Sequence, residues 1–233
     1  MPDNSVQQSF TVVIPAAGIG SRMQADRPKQ YLPLFGATVI EHTARRLLTH
    51  PRIDHLVIAL HPDDTEFNTL ALAQSSQITT VVGGEQRADS VLNGLQAVDS
   101  SAWVLVHDAA RPCIVIDDIS RLLNIKDSGV GGILAKRVVD TMKRSDPQQF
   151  ILHSEARDNL WHALTPQFFP CAALREALQH CKTKKLSITD EASAMEYIGE
   201  SVTLVEGRSD NIKITVPEDL ALAEFYLRQQ EQA

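Results

Sequence analysis

Cysteine is scarce in this chain. Cys113, Cys171 and Cys181 form an odd set, and none falls in a Cys-x-x-Cys pair. A disulfide framework and a zinc knuckle therefore lack support, and a reducing compartment fits best. Aromatic residues make up only 5% of the sequence, so a core has to be built from Val, Ile, Leu and Ala. Positive charge is in deficit too: 22 Lys and Arg stand against 29 Asp and Glu, a net charge of -7. That balance argues against broad electrostatic binding to nucleic acid or to an anionic membrane, although an acidic chain can still hold a local basic pocket. Met1 to Phe10 carries Asp3 and no basic residue before an apolar run, so it does not read as a signal peptide. No apolar stretch approaches the roughly 20 residues that span a bilayer. The expectation is a soluble, cytoplasmic protein without nucleic acid or membrane partners. Hydrophobic residues are plentiful: 43% of 233 positions, enough for one sizeable core.

The hydrophobic pattern alternates between two periods. Thr11 to Ile14, Leu56 to Leu60, Ile78 to Val82, Trp103 to Val106 and Gly132 to Ala135 read as short buried strands. Between them, helical spacing appears at Val39 to Leu48, Ala88 to Val98 and Asp117 to Ile125, and a polar helix is expected over Asp63 to Gln74. Further helices are expected at Cys171 to Cys181, at Glu191 to Ile198 with Thr189 as a plausible N-cap, and after Pro217, where Glu218 and Asp219 suit a helix start. This alternation predicts an α/β fold: a Rossmann-like, mostly parallel sheet with helices on both faces. Ligands in such folds bind beyond the carboxyl ends of the strands. One stretch breaks the pattern. Val138 to Glu155 is polar, with extended flanks around a turn at Arg144 to Pro147. It reads as a protruding β-arm that grips a second subunit, or else as an exposed loop. The expected organisation is one domain over 1–233 with 138–155 as a dimerisation arm.

The chemically suggestive residues sit at the expected strand ends. Pro15-Ala16-Ala17-Gly18-Ile19-Gly20-Ser21-Arg22-Met23 follows the first strand, and Arg27-Pro28-Lys29-Gln30 comes soon after. Small residues there let backbone N–H groups approach a polyphosphate, and Arg22 and Lys29 add positive charge. A dinucleotide fingerprint would need a third glycine where Met23 stands, and an ordinary tight turn is the plain alternative. Gly83-Gly84-Glu85-Gln86-Arg87-Ala88-Asp89-Ser90 offers a flat backbone for a base and a hydroxyl at Ser90, or simply a turn and a helix start. In Val106-His107-Asp108-Ala109-Ala110-Arg111-Pro112 an acid ends a hydrophobic strand, where it could meet a ribose or a divalent ion. No Gly-Lys-Ser/Thr, Gly-x-Ser-x-Gly or His-Glu-x-x-His occurs, so Walker-type, serine-hydrolase and zincin readings lack support.

Taken in order, PAAGIGSRM, RPKQY, GGEQRADSV, VHDAARP, DTMKR, LTPQFF, TDEASAMEY and EGRSDNIKIT resemble the methylerythritol phosphate cytidylyltransferase family from residue 15 to residue 215. Ser21 stands where a second basic residue often precedes Arg22 in that family, and Glu85 replaces an Asp of some relatives. The resemblance implies a fold of the nucleotide-diphospho-sugar transferase type and CMP transfer from CTP to a sugar-alcohol phosphate by a homodimer. It implies catalytic roles for Arg22, Lys29, Arg157 and Lys213. CTP would be bound by Ala16, Ala17, Gly18, Gly84, Glu85, Ser90, Asp108 and Ala109. The acceptor would be bound by Thr141, Arg157, Thr165 and Lys213, with Thr141 and Arg157 reaching the partner's site. Mg²⁺ would be held mainly by the triphosphate, with Asp108 as its protein partner. The chain length is expected to leave no room for the cyclodiphosphate synthase domain fused to some relatives. A ribitol 5-phosphate cytidylyltransferase and a non-catalytic nucleotide-binding regulatory module are the alternatives at this stage.

Overall fold

The computed structural model describes residues 8–18 and 27–232. Seven strands form the central sheet: β1 (Phe10–Ala16), β4 (Ile53–Leu60), β5 (Ile78–Val82), β6 (Trp103–Val106), β7 (Gly132–Arg137), β10 (Trp161–Pro170) and β11 (Thr203–Glu206). Their order is β11-β7-β10-β6-β1-β4-β5. β1 pairs in parallel with β4 and β6, β4 with β5, and β7 with β11, whereas β10 runs antiparallel between β6 and β7. The small ribbons are β2 (Pro33–Leu34) with β3 (Ala37–Thr38) and β8 (Lys143–Ser145) with β9 (Ile151–Ser154).

Burial explains the apolar runs. Val12 and Ile14 of β1 point to one face and Val13 to the other, and all three are fully buried. The first face is covered by α1 (Val39–Leu48) and α3 (Ile116–Leu123). The second is covered by α2 (Arg87–Leu95), α4 (Cys171–Lys184) and α5 (Glu191–Tyr197). A third cluster seats Ala223 and Leu227 of α6 (Glu218–Gln232) on Leu34, Val39, Cys113 and Ile214. α1 starts sharply because Thr38 and Glu41 form a reciprocal cap.

Four expectations are corrected. The helix over 63–74 is two 3-10 turns, Phe67–Thr69 and Ala71–Gln74, separated by an extended Leu70. The segment lacks an apolar stripe, since only Phe67 and Leu72 are buried, and Asp64 caps the N–H groups of Glu66 and Phe67 before a helix can propagate. The N-cap of α5 is Asp190, whose carboxylate accepts from Ser193 N–H at 3.0 Å, with Thr189 one residue upstream. α2 ends at Leu95 instead of Val98. The arm is a hairpin, but β8 runs into the expected turn, because Arg144 and Ser145 are strand residues paired with β9, and Val139, Phe150, Ile151 and Leu152 are all exposed on it.

Candidate active site

From β1 the chain builds outward through β4 and β5, then returns to place β6 on β1's other side. That reversal opens a crevice at the carboxyl ends of β1 and β6. The crevice is a cleft of about 290 Å³ lined by Ala16 to Gly18, Lys29, Gln30, Gly84 to Arg87, Ser90, Asp108 to Ala110 and Lys213. Three cations, Lys29, Arg87 and Lys213, face two carboxylates, Glu85 and Asp108. The cleft is therefore locally basic within an acidic chain.

The loop after β5 has its shape fixed from inside. A Cβ on Gly83 would lie 2.4 Å from the Ala17 Cβ, and one on Gly84 would lie 2.3 Å from the Asp89 Cβ. The glycines are thus required by the packing of the loop on β1 and on α2. The hydroxyl of Ser90 accepts from Gly84 N–H at 3.0 Å and donates toward the Gln86 carbonyl at 3.2 Å. Ser90 is buried and shapes this loop. Gly84→Val should therefore lower thermal stability, whereas Glu85→Ala, at an exposed position, should leave the melting temperature unchanged. Melting curves of both variants check this.

Lys29 stands in a short turn, with its ammonium donating to the Ile214 carbonyl at 2.9 Å. Beside it, the buried Gln30 amide donates to the Ala16 carbonyl at 2.7 Å, which ties the turn to the end of β1. Lys213 lies one residue before Ile214, and its ammonium is 2.9 Å from Asp108 Oδ2. Two cations far apart in sequence are thus brought to one cleft. Arg22 lies outside the described residues.

Asp108 is the electrostatic centre of the cleft. Burial would raise its pKa, but Arg87, Lys213 and Arg111 outweigh burial and hold the carboxyl well below the usual carboxylate range. Oδ1 accepts from Arg87 Nε at 3.0 Å, and Oδ2 receives Lys213 and, at 3.3 Å, Arg111 Nε. His107 is fully buried, and burial pushes its pKa down to about 4. Its Nε2 donates to the Arg111 carbonyl and its Nδ1 accepts from the Thr165 hydroxyl, which itself accepts from Asp108 N–H. The imidazole is neutral at pH 7 with both nitrogens occupied.

The other predicted residues are spread out. Thr165 is buried beneath the cleft, with its hydroxyl engaged by His107 and Asp108. Thr141, within the arm, and Arg157, just after it, are exposed, Arg157 donating to the Val139 carbonyl, and neither lines the cleft of its own chain. Sequence reasoning misses Arg87 and Gln30 as cleft residues. Both lay inside quoted motifs, yet nothing in the motif distinguishes an inward-facing side chain from a solvated one.

For a divalent ion, the cleft supplies Asp108, whose oxygens already face cations, and the exposed Glu85. Among the described residues no three His, Cys, Asp or Glu side chains converge as a metal cage. This donor set fits an ion that arrives with phosphate oxygens, as magnesium commonly does.

A mostly parallel sheet, with one antiparallel strand and a glycine-bounded, cationic cleft at its switch point, places the chain among the nucleotide-binding α/β proteins. A family model for 2-C-methyl-D-erythritol 4-phosphate cytidylyltransferase matches residues 10–229, and the chain belongs to that family. It is 57% identical over 220 residues to the protein of that name from Pseudoalteromonas atlantica, covering 94% of this chain and 95% of the relative. It is 58% identical over 221 residues to the one from Yersinia pseudotuberculosis, covering 94% and 92%. Among solved structures, the Francisella tularensis protein of that name superposes with a TM-score of 0.82 at 37% identity, over 94% of this chain and all of that one. The Thermus thermophilus protein of that name gives a TM-score of 0.80 at 30% identity, over 95% and 100%.

Proposed function

We propose that this chain transfers CMP from CTP to 2-C-methyl-D-erythritol 4-phosphate. The products are 4-diphosphocytidyl-2-C-methyl-D-erythritol and pyrophosphate, and the step belongs to non-mevalonate isoprenoid precursor synthesis. Family membership supports the reaction, and one observation carries the chemistry: Lys29 and Lys213 enter the same cleft from opposite ends of the chain. An oxygen of the acceptor phosphate attacks the α-phosphorus of CTP. The new P–O bond forms as the bond to the β-phosphate oxygen breaks, and the electron pair leaves with pyrophosphate. The nucleophile is already anionic near neutral pH, so no general base is required. The neutral, doubly occupied His107 is consistent with that.

In this reading the small residues Ala16 to Gly18 face the triphosphate, and Lys29 and Arg22 stabilise charge that builds on the α-phosphate and the leaving group. The Gly84–Glu85 backbone, held by Ser90, receives cytosine, and Asp108 and Ala109 flank the ribose. Lys213 faces the acceptor together with the partner's copies of Thr141 and Arg157, above Thr165. Mg²⁺ bound to the triphosphate would supply further charge neutralisation, with Asp108 as the buried carboxylate of the cleft. The enzyme acts as one nucleotidyltransferase domain in a cytoplasmic homodimer. No helix among the described residues is long and apolar enough to cross a membrane, and the three cysteines are free and buried.

Pyrophosphate release from CTP, assayed with 2-C-methyl-D-erythritol 4-phosphate beside ribitol 5-phosphate, tests the reaction. Release with the second acceptor alone would overturn it, and so would CTP binding without release. The dimer is tested through the exposed apolar arm. Replacing Phe150 and Leu152 together by Asp should weaken dimerisation at least about tenfold in sedimentation. An unchanged dimer would return the arm to surface-loop status.

A further inference from the structure

We infer that Glu191 is a positioning residue of this site, holding Arg87 in the orientation that lets Asp108 be shared with Lys213. The inference rests on the transferase reading above. Glu191 opens α5 and is 1% exposed, although it carries a carboxylate. A buried carboxylate persists only when paired. Both its oxygens are taken by the Arg87 fork, Nη1 at 2.6 Å and Nη2 at 3.1 Å. The remaining nitrogen on that rigid plane, Nε, lies 3.0 Å from Asp108 Oδ1. Because the guanidinium is planar, fixing its two outer nitrogens on Glu191 fixes the direction of Nε.

The consequence falls on Asp108. With Arg87 confined to Oδ1, Oδ2 is left to Lys213 at 2.9 Å and to Arg111 at 3.3 Å. Without the Glu191 carboxylate, the outer nitrogens of Arg87 lose their anionic partner. The nearest anion is Asp108, and a guanidinium prefers to grip a carboxylate with two prongs. Arg87 would then compete with Lys213 for Oδ2, and the Lys213 ammonium would leave its place at the cleft wall. α5 itself is anchored independently of this pair, because Gln167 accepts from Ala192 N–H at 2.9 Å and donates to the Asp190 carboxylate at 2.9 Å. Glu191 is therefore separable from the helix it begins.

The test is Glu191→Gln, which keeps the shape and removes the charge, followed by pyrophosphate release and CTP calorimetry. The expected result is a fall of at least about tenfold in acceptor kcat/KM, with the CTP Kd within about threefold of wild type. Adding Arg87→Met to Glu191→Gln removes the competitor for Asp108, so the double variant should recover most of the acceptor loss at saturating CTP. Glu191→Asp keeps the charge but is one methylene too short for both prongs. It should lose less, in the same parameter, and it serves if the Gln variant does not fold. Unchanged acceptor kinetics in Glu191→Gln would overturn the inference. Parallel loss of CTP affinity and acceptor kinetics, or a double variant no better than the single, would reduce Glu191 to a structural role and overturn it equally. A wild-type protein that releases no pyrophosphate would instead overturn the transferase reading, and this inference with it.

Discussion

Lys29→Ala should lower turnover by roughly 10²–10³, about 3–4 kcal/mol of barrier, which is the usual effect of removing one donor aimed at charge that develops during reaction. Lys29 is half-buried in a short turn and contributes no apolar surface to the core. Its ammonium donates to the Ile214 carbonyl, so the variant also loses a tie between the turn and the segment bearing Lys213. A charged hydrogen bond of that kind is worth about 1.5–3 kcal/mol at most, roughly 3–12 °C of melting temperature for a chain of this size. The two effects separate cleanly. Loss of the tie alone would lower the melting temperature and raise the acceptor KM, leaving kcat at saturation near normal. Loss of charge stabilisation lowers kcat itself, with the CTP Kd moving much less. Single-turnover kinetics beside a thermal melt decide between them. Near-normal kcat would take Lys29 out of the chemistry and leave it as a strut.

What was legible in the sequence was local. The β1 run declares itself because both faces of the strand are covered, so every residue from Val12 to Ile14 has to be apolar. The cleft residues at the ends of β1, β5 and β6 were legible for the same reason: once the strands are placed, the fold decides where the crevice is. β10 escaped because its sequence contradicts its position. Pro166 and the buried Gln167 sit in a strand between two neighbours, where a proline is unexpected. The ladder skips from Ala163 to Gln167 around the proline, and Gln167 is satisfied by α5. Neither accommodation exists until the tertiary structure does. The same holds for side-chain roles. Ser90, Thr165 and Asp108 all belong to quoted motifs, yet the two hydroxyls are spent on internal bonds while Asp108 faces the cleft. A motif marks supporting and contacting residues alike. Arg87 and Glu191, 104 positions apart, form a pair that no local pattern announces.

Asp108→Asn should cost roughly 3–5 kcal/mol of stability at pH 7, because it removes one anion from a buried cluster and leaves its cations uncompensated. Arg87 would keep Glu191, but Arg111 and Lys213 would face an amide whose nitrogen repels them. The backbone bond from residue 108 to Thr165 is unaffected by the change, so the loss belongs to the carboxylate. The pH dependence identifies its source. Burial pushes the Asp108 pKa up, but the surrounding cations prevail, and the folded-state value lies below the unfolded carboxylate range. In the interval between the two values the folded chain binds fewer protons than the unfolded one, so stability from this group rises with pH. Its contribution is complete above about pH 5 and declines by about 1.4 kcal/mol per pH unit once the pH falls below about 4. The stability difference between wild type and Asp108→Asn should therefore be flat from about pH 5 to pH 8 and shrink on acidification below that. Denaturant unfolding of both proteins at intervals from pH 3 to pH 8 measures it. A difference that stayed constant down to pH 3 would show that the variant suffers from packing, and that the ion cluster does not anchor the cleft.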